Sequence, residues 1–355
     1  MAGVIIQRGF GKSMNIKSVA ARAKVSAATV SRTINSPGTV HPRTATKVLR
    51  AIKELGYYPN TQARALVSGR SHLFGLIISD IANPFFPELV KHFEEAALRK
   101  GYEVMVANTN YRSDRMRLCI RRLIERKVDG VAVMTSEIDN DLILELAKRD
   151  VALVFLDAGK IKKRISDISV DYESGIREGI LHLVGLGHQR FGFISGPLTL
   201  KSAVTRRQAF LKSLRECGIP ESQQLVVEGN HRYDGGVRGM QELLSAKSRP
   251  TAVLASNDLT AIGAMHAIFD LGLRVPDDIS IVGFDDIELA QYTYPALTSI
   301  KLSREELGNR AFDALYRSVE GIWETGREIE IVTSLVARQS TSRVRQPIAN
   351  KQTLK

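Results

Sequence analysis

Between Ser26 and Asn35 the chain sets Ser26, Thr29, Ser31, Arg32 and Asn35 close together, with alanines at 27 and 28. Hydroxyls, an amide and a guanidinium at that density suit hydrogen bonding to a nucleic acid. Arg32 can fork onto a guanine edge. Ser26, Thr29 and Asn35 can bind phosphates, which position a protein but read no sequence. Ala27 and Ala28 offer only apolar contact, such as to a thymine methyl. A second set lies downstream: Phe85, Phe86, Asp157, Ser202, Arg206, Asn257 and Asp285. Carboxylates and amides hold paired hydroxyls, and a guanidinium forks onto a diol or a carboxylate. Aromatic faces stack on a sugar ring or a base. Neither set points to covalent chemistry. The chain has no HExxH, no G-x-S-x-G, no P-loop and no G-x-G-x-x-G after a strand. Its seven histidines lack metal spacing, with His182 and His188 flanking a helix end and facing apart. Cys119 and Cys217 are its only cysteines and read as free thiols. No enzyme activity, cofactor or metal is expected.

The first set must be carried on helices. Lys17 to Ala23 puts Val19, Ala20 and Ala23 on one face. Lys24-Val25-Ser26 is a short turn, and the Ser26 hydroxyl can cap a second helix over Ala27 to Ile34. Val30 and Ile34 face inward there, and Ala27, Ala28, Ser31 and Arg32 face outward. Pro42 suits the first turn of a third helix, which runs to Leu55 with Val48, Ile52 and Leu55 inward and stops at Gly56. Two helices joined by a three-residue turn and braced by a third form a helix-turn-helix unit, whose second helix lies in the DNA major groove. Asn60 can cap a further helix ending at Val67, too short to be stable alone.

Charge agrees. Up to Arg70 the chain holds twelve Lys or Arg and one acid, Glu54. The remainder holds 38 basic and 37 acidic residues, so the net charge of +12 is concentrated at the N-terminus. A positive segment on a near-neutral body marks contact with a polyanion. No apolar run approaches the ~20 residues needed to cross a bilayer, and no signal peptide is visible, so the cytoplasm is the expected compartment and no membrane partner is expected. The 355 residues fit two or three domains. Residues 1–13 read as a disordered tail, and translation could begin at Met14.

From Leu73 onward apolar strand runs alternate with helical patterns, which means parallel sheets covered on both faces. The pattern restarts near Ile168, so two α/β lobes are expected, with a ligand cleft at the carboxyl ends of their strands. The second set of residues follows those strands. Phe85 is the better cleft candidate of its pair, Asp258 serves equally as a helix cap, and Asp286 reads as solvated.

The string VAARAKVSAATVSRTIN, followed by LGYYPN, resembles the headpiece and hinge of the LacI/GalR family of transcription regulators. IANPFF, KVDGVAV, GHQRFGFISGP, GLRVP, ISIVGFDD and PALTSI extend the resemblance to about residue 340. It implies an all-α helix-turn-helix headpiece (14–58), a hinge helix and linker (59–71) and a periplasmic-binding-protein-like core (72–340). Lobe one would comprise about 72–163 and 296–323, lobe two 164–295 and 324–340, and 341–355 a tail. It implies that Asn60, Ala63 and Leu66 lie in a hinge that folds on DNA, with Leu66 wedged into the minor groove. Positions matching Arg206, Asp285 and Asn257 commonly contact the effector, and His231 matches another cleft position. Leu200 stands where the purine-responsive type has an arginine, and Ala158 where some relatives place a large aromatic. The expected function is a repressor, a homodimer on a near-palindromic double-stranded operator, controlled by a small effector of the sugar or sugar-acid class. The tail lacks apolar heptads, which argues against a tetramerising coil.

Overall fold

The computed structural model describes residues 15–36, 38–58, 70–135, 145–146, 148–159 and 161–344. The expected N-terminal tail, the hinge with Asn60, Ala63 and Leu66, most of the segment 136–147 and most of the C-terminal tail lie outside the described residues. The chain divides into two compact units, Met1–Ser71 and His72–Lys355.

The first unit is built from α1 (Ile16–Ala23), α2 (Ala27–Asn35) and α3 (Pro42–Leu55). Local chemistry fixes each boundary. Asn15 caps α1 by accepting the Ser18 N–H at 3.1 Å, and Lys24 ends it in the left-handed region at φ 55°. Ser26 caps α2 through the Thr29 N–H at 3.1 Å. Pro42 opens α3, and Gly56 closes it at φ 56°. Val19, Ala20, Ala23, Val30, Val48 and Ala51 form its small core. Ile34 is only half-buried; Thr33 is buried instead and donates to the Thr29 carbonyl at 2.8 Å, which removes the cost of sinking a hydroxyl. Glu54, the one acid here, pairs with Arg22 at 2.5 Å and ties α3 to α1.

The second unit begins with β1 (Leu73–Ile78), α4 (Phe85–Arg99), β2 (Glu103–Asn108), α5 (Ser113–Glu125), β3 (Gly130–Met134), β4 (Ala152–Leu156) and β5 (Ile165–Asp171). It continues with α6 (Tyr172–Gly185), β6 (Phe191–Ser195), α7 (Lys201–Glu216), β7 (Gln224–Glu228), α8 (Tyr233–Ser245), β8 (Ala252–Ala255), α9 (Asp258–Asp270) and β9 (Ser280–Asp285). β10 (Thr298–Lys301), α10 (Arg304–Val319), β11 (Glu328–Val332) and β12 (Ser334–Val336) complete it. One sheet runs β11-β5-β4-β3-β1-β2, and the other β12-β10-β9-β8-β6-β7. Every pairing is parallel except β10 with β12.

Strand pairing moves the expected lobe boundaries. Residues 165–171 pair with β4 and so belong to the first lobe, not the second. Residues 298–301 pair with β9 in the second. The last strand does not join the second lobe whole. Glu328–Val332 extends the first sheet, Thr333 is the hinge, and Ser334–Val336 turns antiparallel onto the second. α10 returns to the first lobe as expected, where Phe312 meets Phe74 at 5.8 Å and Phe93 at 5.9 Å. In the second lobe α8 and α9 cross on two glycines. A Cβ on Gly236 would fall 2.1 Å from the Thr260 carbonyl oxygen, and one on Gly263 2.0 Å from that of Tyr233.

Candidate nucleic-acid interface and ligand cleft

On α2 the exposed residues are Ala28, Arg32 and Asn35, with Ser26 exposed at the cap. Arg32 makes no ion pair with a described acid, since Glu54 is taken by Arg22. Asn35 leans on the Ser31 hydroxyl at 3.2 Å, and the Ser26 and Thr29 hydroxyls meet at 2.9 Å. Ala27 corrects the expected outward face. It is half-buried against the helical core, because seven residues of helix place it on the same stripe as Ile34. Ala28 is the alanine that solvent reaches.

In the second unit a cleft of about 540 Å³, partly open to solvent, lies between the lobes. Phe85, Phe86, Ser202, Arg206, His231, Asn257 and Asp285 all line it. The two phenylalanines meet edge to face at 5.2 Å. Phe86 lines the cleft as well as Phe85, the better candidate by sequence, because both sit on the first turn of α4 at the cleft wall. Ser202 lies in the first turn of α7, which starts after Leu200.

Arg206 and Asp285 are the charged centre, 8 % and 5 % exposed. Their nearest charged atoms stand 3.7 Å apart, beyond a good hydrogen bond. The guanidinium lies 4.1 Å over Phe284 and 4.9 Å over Tyr172, and one of its nitrogens donates to the Ser256 carbonyl at 2.5 Å. Arg206 Nε is buried without a hydrogen-bond partner. Burial pushes the Asp285 carboxyl up to about 6, against the pull of Arg206 and Arg304. His231 is buried, and burial together with the Arg206 charge holds it down at about 3, so the imidazole is neutral. It meets the Ser256 hydroxyl at 3.2 Å.

Two of the candidate residues also hold the fold together. Asn257 caps α9 by accepting the Thr260 N–H at 2.9 Å and donates to the His231 carbonyl at 2.9 Å, which uses both ends of its amide. The cap role allotted to Asp258 therefore belongs to Asn257. Asp258 is wholly buried, accepting the Ser299 hydroxyl at 2.5 Å and the Ile287 N–H at 2.8 Å. Asp157 does not line the cleft. Its carboxylate accepts the Val170 N–H at 2.9 Å and the Tyr172 hydroxyl at 2.6 Å, bracing the first crossover, and burial raises its pKa. Asp286 is not solvated but pairs with Arg338 at 2.6 Å.

Other residues take part that the sequence patterns did not single out. Tyr111 and Tyr172 line the cleft. Tyr111 follows a strand, so the same rule reaches it. Arg304 donates to the carbonyls of Asp285 and Asp286 and pairs with Glu88 at 2.6 Å, fixing the loop that carries Asp285. At the mouth Arg232 reaches from the second lobe to Asp80 at 2.9 Å and Asn110 at 2.6 Å on the first. Arg232→Ala is expected to favour lobe opening. Arg232 is half-exposed at the mouth although Asp80 is buried, and a pair screened on one side by solvent contributes about 1 kcal/mol, so effector affinity should fall a few fold, read by calorimetric titration.

The sequence profile described as "Bacterial regulatory proteins, lacI family" matches residues 15–60, and that of a "Periplasmic binding protein-like domain" matches 180–341. The chain is 36% identical over 330 residues to the HTH-type transcriptional repressor PurR of Proteus mirabilis, covering 92% of this chain and 96% of that protein. The PurR of Photorhabdus laumondii is equally similar, at 36% over 328 residues. Among solved structures, the lac repressor dimer bound to operator and the anti-inducer ONPF superposes with a TM-score of 0.83 at 33% identity, covering 93% of this chain and all of that one. The regulator CelR in complex with cellobiose superposes at 0.69 with 29% identity, covering 92% and 99%.

Proposed function

This chain belongs to the lacI family of bacterial regulatory proteins and is a DNA-binding transcriptional repressor, and on that premise we propose that it acts as a cytoplasmic homodimer on a near-palindromic operator under control of a sugar-like effector. Arg32 reads a guanine, Ala28 contacts a thymine methyl, and Ser26, Thr29 and Asn35 hold phosphates. Asn60, Ala63 and Leu66 belong to a hinge that orders on DNA, where Leu66 wedges into the minor groove. With so few base-reading side chains on α2, much specificity rests on DNA deformation at the hinge. Arg32→Ala should weaken specific operator binding roughly tenfold to a hundredfold and leave non-specific binding nearly unchanged. Equal losses on operator and random duplex, measured by fluorescence anisotropy, would contradict the base-reading role.

The observation that carries the effector class is the Arg206–Asp285 pair. The carboxylate accepts no hydrogen bond among the described residues, Arg206 Nε has none, and the two groups are too far apart to satisfy each other. A diol bridges them: one hydroxyl donates to Asp285 while its neighbour accepts from Arg206. Phe85 and Phe86 supply apolar faces for a sugar ring. Effector binding between the lobes is coupled to operator affinity, and the coupling is reciprocal.

The likeness to repressors named PurR raises a second reading, a purine-type effector. Leu200, apolar where that type carries an arginine, weighs against it. A thermal-shift screen of the purified protein against sugars, sugar acids and purines separates the two. Stabilisation by a sugar or sugar acid that also changes operator affinity supports the first reading, and stabilisation by a purine alone overturns it.

A further inference from the structure

We propose that the core carries its own DNA-contact surface: the edge of the first sheet opposite the cleft, which binds phosphates of the duplex flanking the operator. All six strands of this sheet run parallel, so all begin at one edge. The residues leading into them therefore stand in a row. Lys100 precedes β2, Lys127 precedes β3, Lys148 precedes β4, Lys162 and Lys163 precede β5, and Arg327 precedes β11. All six are exposed, and none pairs with a described acid. Arg327 and Lys100 rest on Trp323 and Tyr316, which leaves their charge outward. Of the acids in the same loops, Asp129 is taken by the His72 N–H at 2.8 Å and Asp150 by Arg164 at 3.0 Å, while Glu103, Glu324 and Glu328 stay exposed.

This row is not a sample of a generally basic core, which holds 38 basic and 37 acidic residues after Arg70. The charge is sorted. The cleft end of the same sheet presents Ser79, Asp80, Thr135 and Asp157 instead. The row also lies where the chain from the reading helices joins the core, at His72. Six strands spaced about 4.8 Å apart make an edge of roughly 24 Å, a length over which one DNA strand carries about seven phosphates. Exposed, flexible lysines without base-reading neighbours suit a phosphate contact that follows the duplex without reading it. The inference rests on the family's DNA binding and adds a second contact to it.

The test uses the full chain and an operator obtained by selection, either trimmed to its footprint or extended by about 12 base pairs of unrelated sequence on each side. Each extra phosphate contact adds about 0.9 to the slope of log affinity against log salt. Three extra contacts would cost the extended duplex an additional factor of roughly 40 between about 50 and 200 mM KCl. The variant K127Q/K148Q/K162Q/K163Q should bind the trimmed operator like the parent protein and show one slope on both duplexes, and arginine at the same four positions should restore the difference. Equal slopes for the parent protein on the two lengths, as an acidic protein partner for this edge would give, overturn the proposal. So does a glutamine variant that keeps the steeper slope, or one that also loses the trimmed operator, because the lysines then act within the footprint or on the fold.

Discussion

Asp285→Asn is expected to raise the melting temperature at pH 7.5 while sharply weakening effector binding. Burial lifts this carboxyl from its ordinary 3.8 to about 6 in the folded chain. Between those values the folded state binds more protons than the unfolded state. The stabilising contribution of the protonated form is therefore complete below pH ~4 and lost as pH rises through ~6. Above that, the ionised group costs on the order of 3 kcal/mol. The raised value already includes the attraction of Arg206 and Arg304, so their loss of a counter-ion does not reverse the sign. Asparagine cannot ionise and escapes the cost. At about 2–4 °C per kcal/mol the gain at pH 7.5 is roughly 6–12 °C, shrinking to nothing near pH 4. The amide also loses the acceptor strength that holds an effector hydroxyl, so effector affinity should drop about a hundredfold. Melting curves of both proteins from pH 4 to 8 test the first half. A variant less stable than its parent at pH 7.5 would mean that Arg206 needs the charge more than burial opposes it.

A position that is costly to the fold and central to the cleft is where local sequence rules stop. The helices of the first unit are legible because their punctuation is local: Ser26 caps, Pro42 opens and Gly56 closes. The buried strands are legible because parallel sheets bury both faces and read as apolar runs. The split of the final strand is not. Glu328 to Val336 is one extended run in which Thr333 alone separates two sheets, and no residue type announces the change. The cleft positions follow from the rule that ligands meet loops after strands, and Arg206, Asp285 and His231 come together accordingly. Which of their atoms are free does not follow. Asn257 holds the Thr260 N–H and the His231 carbonyl while still facing the cleft, and Asp157 is taken by Val170 and Tyr172. Those partners are chosen by the packing of separate elements, which composition and periodicity do not encode.

The same packing underlies the largest loss expected on the fold, Gly263→Ala. The added Cβ would lie 2.0 Å from the Tyr233 carbonyl oxygen and 3.1 Å from the Val237 amide nitrogen, both backbone atoms that no rotamer change can move. α8 and α9 must separate. Since Gly236 meets the Thr260 carbonyl at the same crossing, the whole contact opens. Overpacking of this kind costs about 3 kcal/mol or more, which corresponds to a fall of roughly 6–12 °C in melting temperature. The damage reaches the cleft. α8 follows directly on His231 and Arg232, and α9 starts beside Asn257, whose amide holds the His231 carbonyl. Parting the helices withdraws His231 from Ser256 and Arg232 from Asp80. Effector affinity should therefore fall further than for Arg232→Ala, while the isolated reading helices, in a separate unit, keep their fold. Gly236→Ala should behave alike, and the double variant should cost less than the sum because one opening serves both. A melting temperature within 2 °C of the parent for either single variant, against the ~6 °C minimum expected, would show that the crossing relaxes without cost.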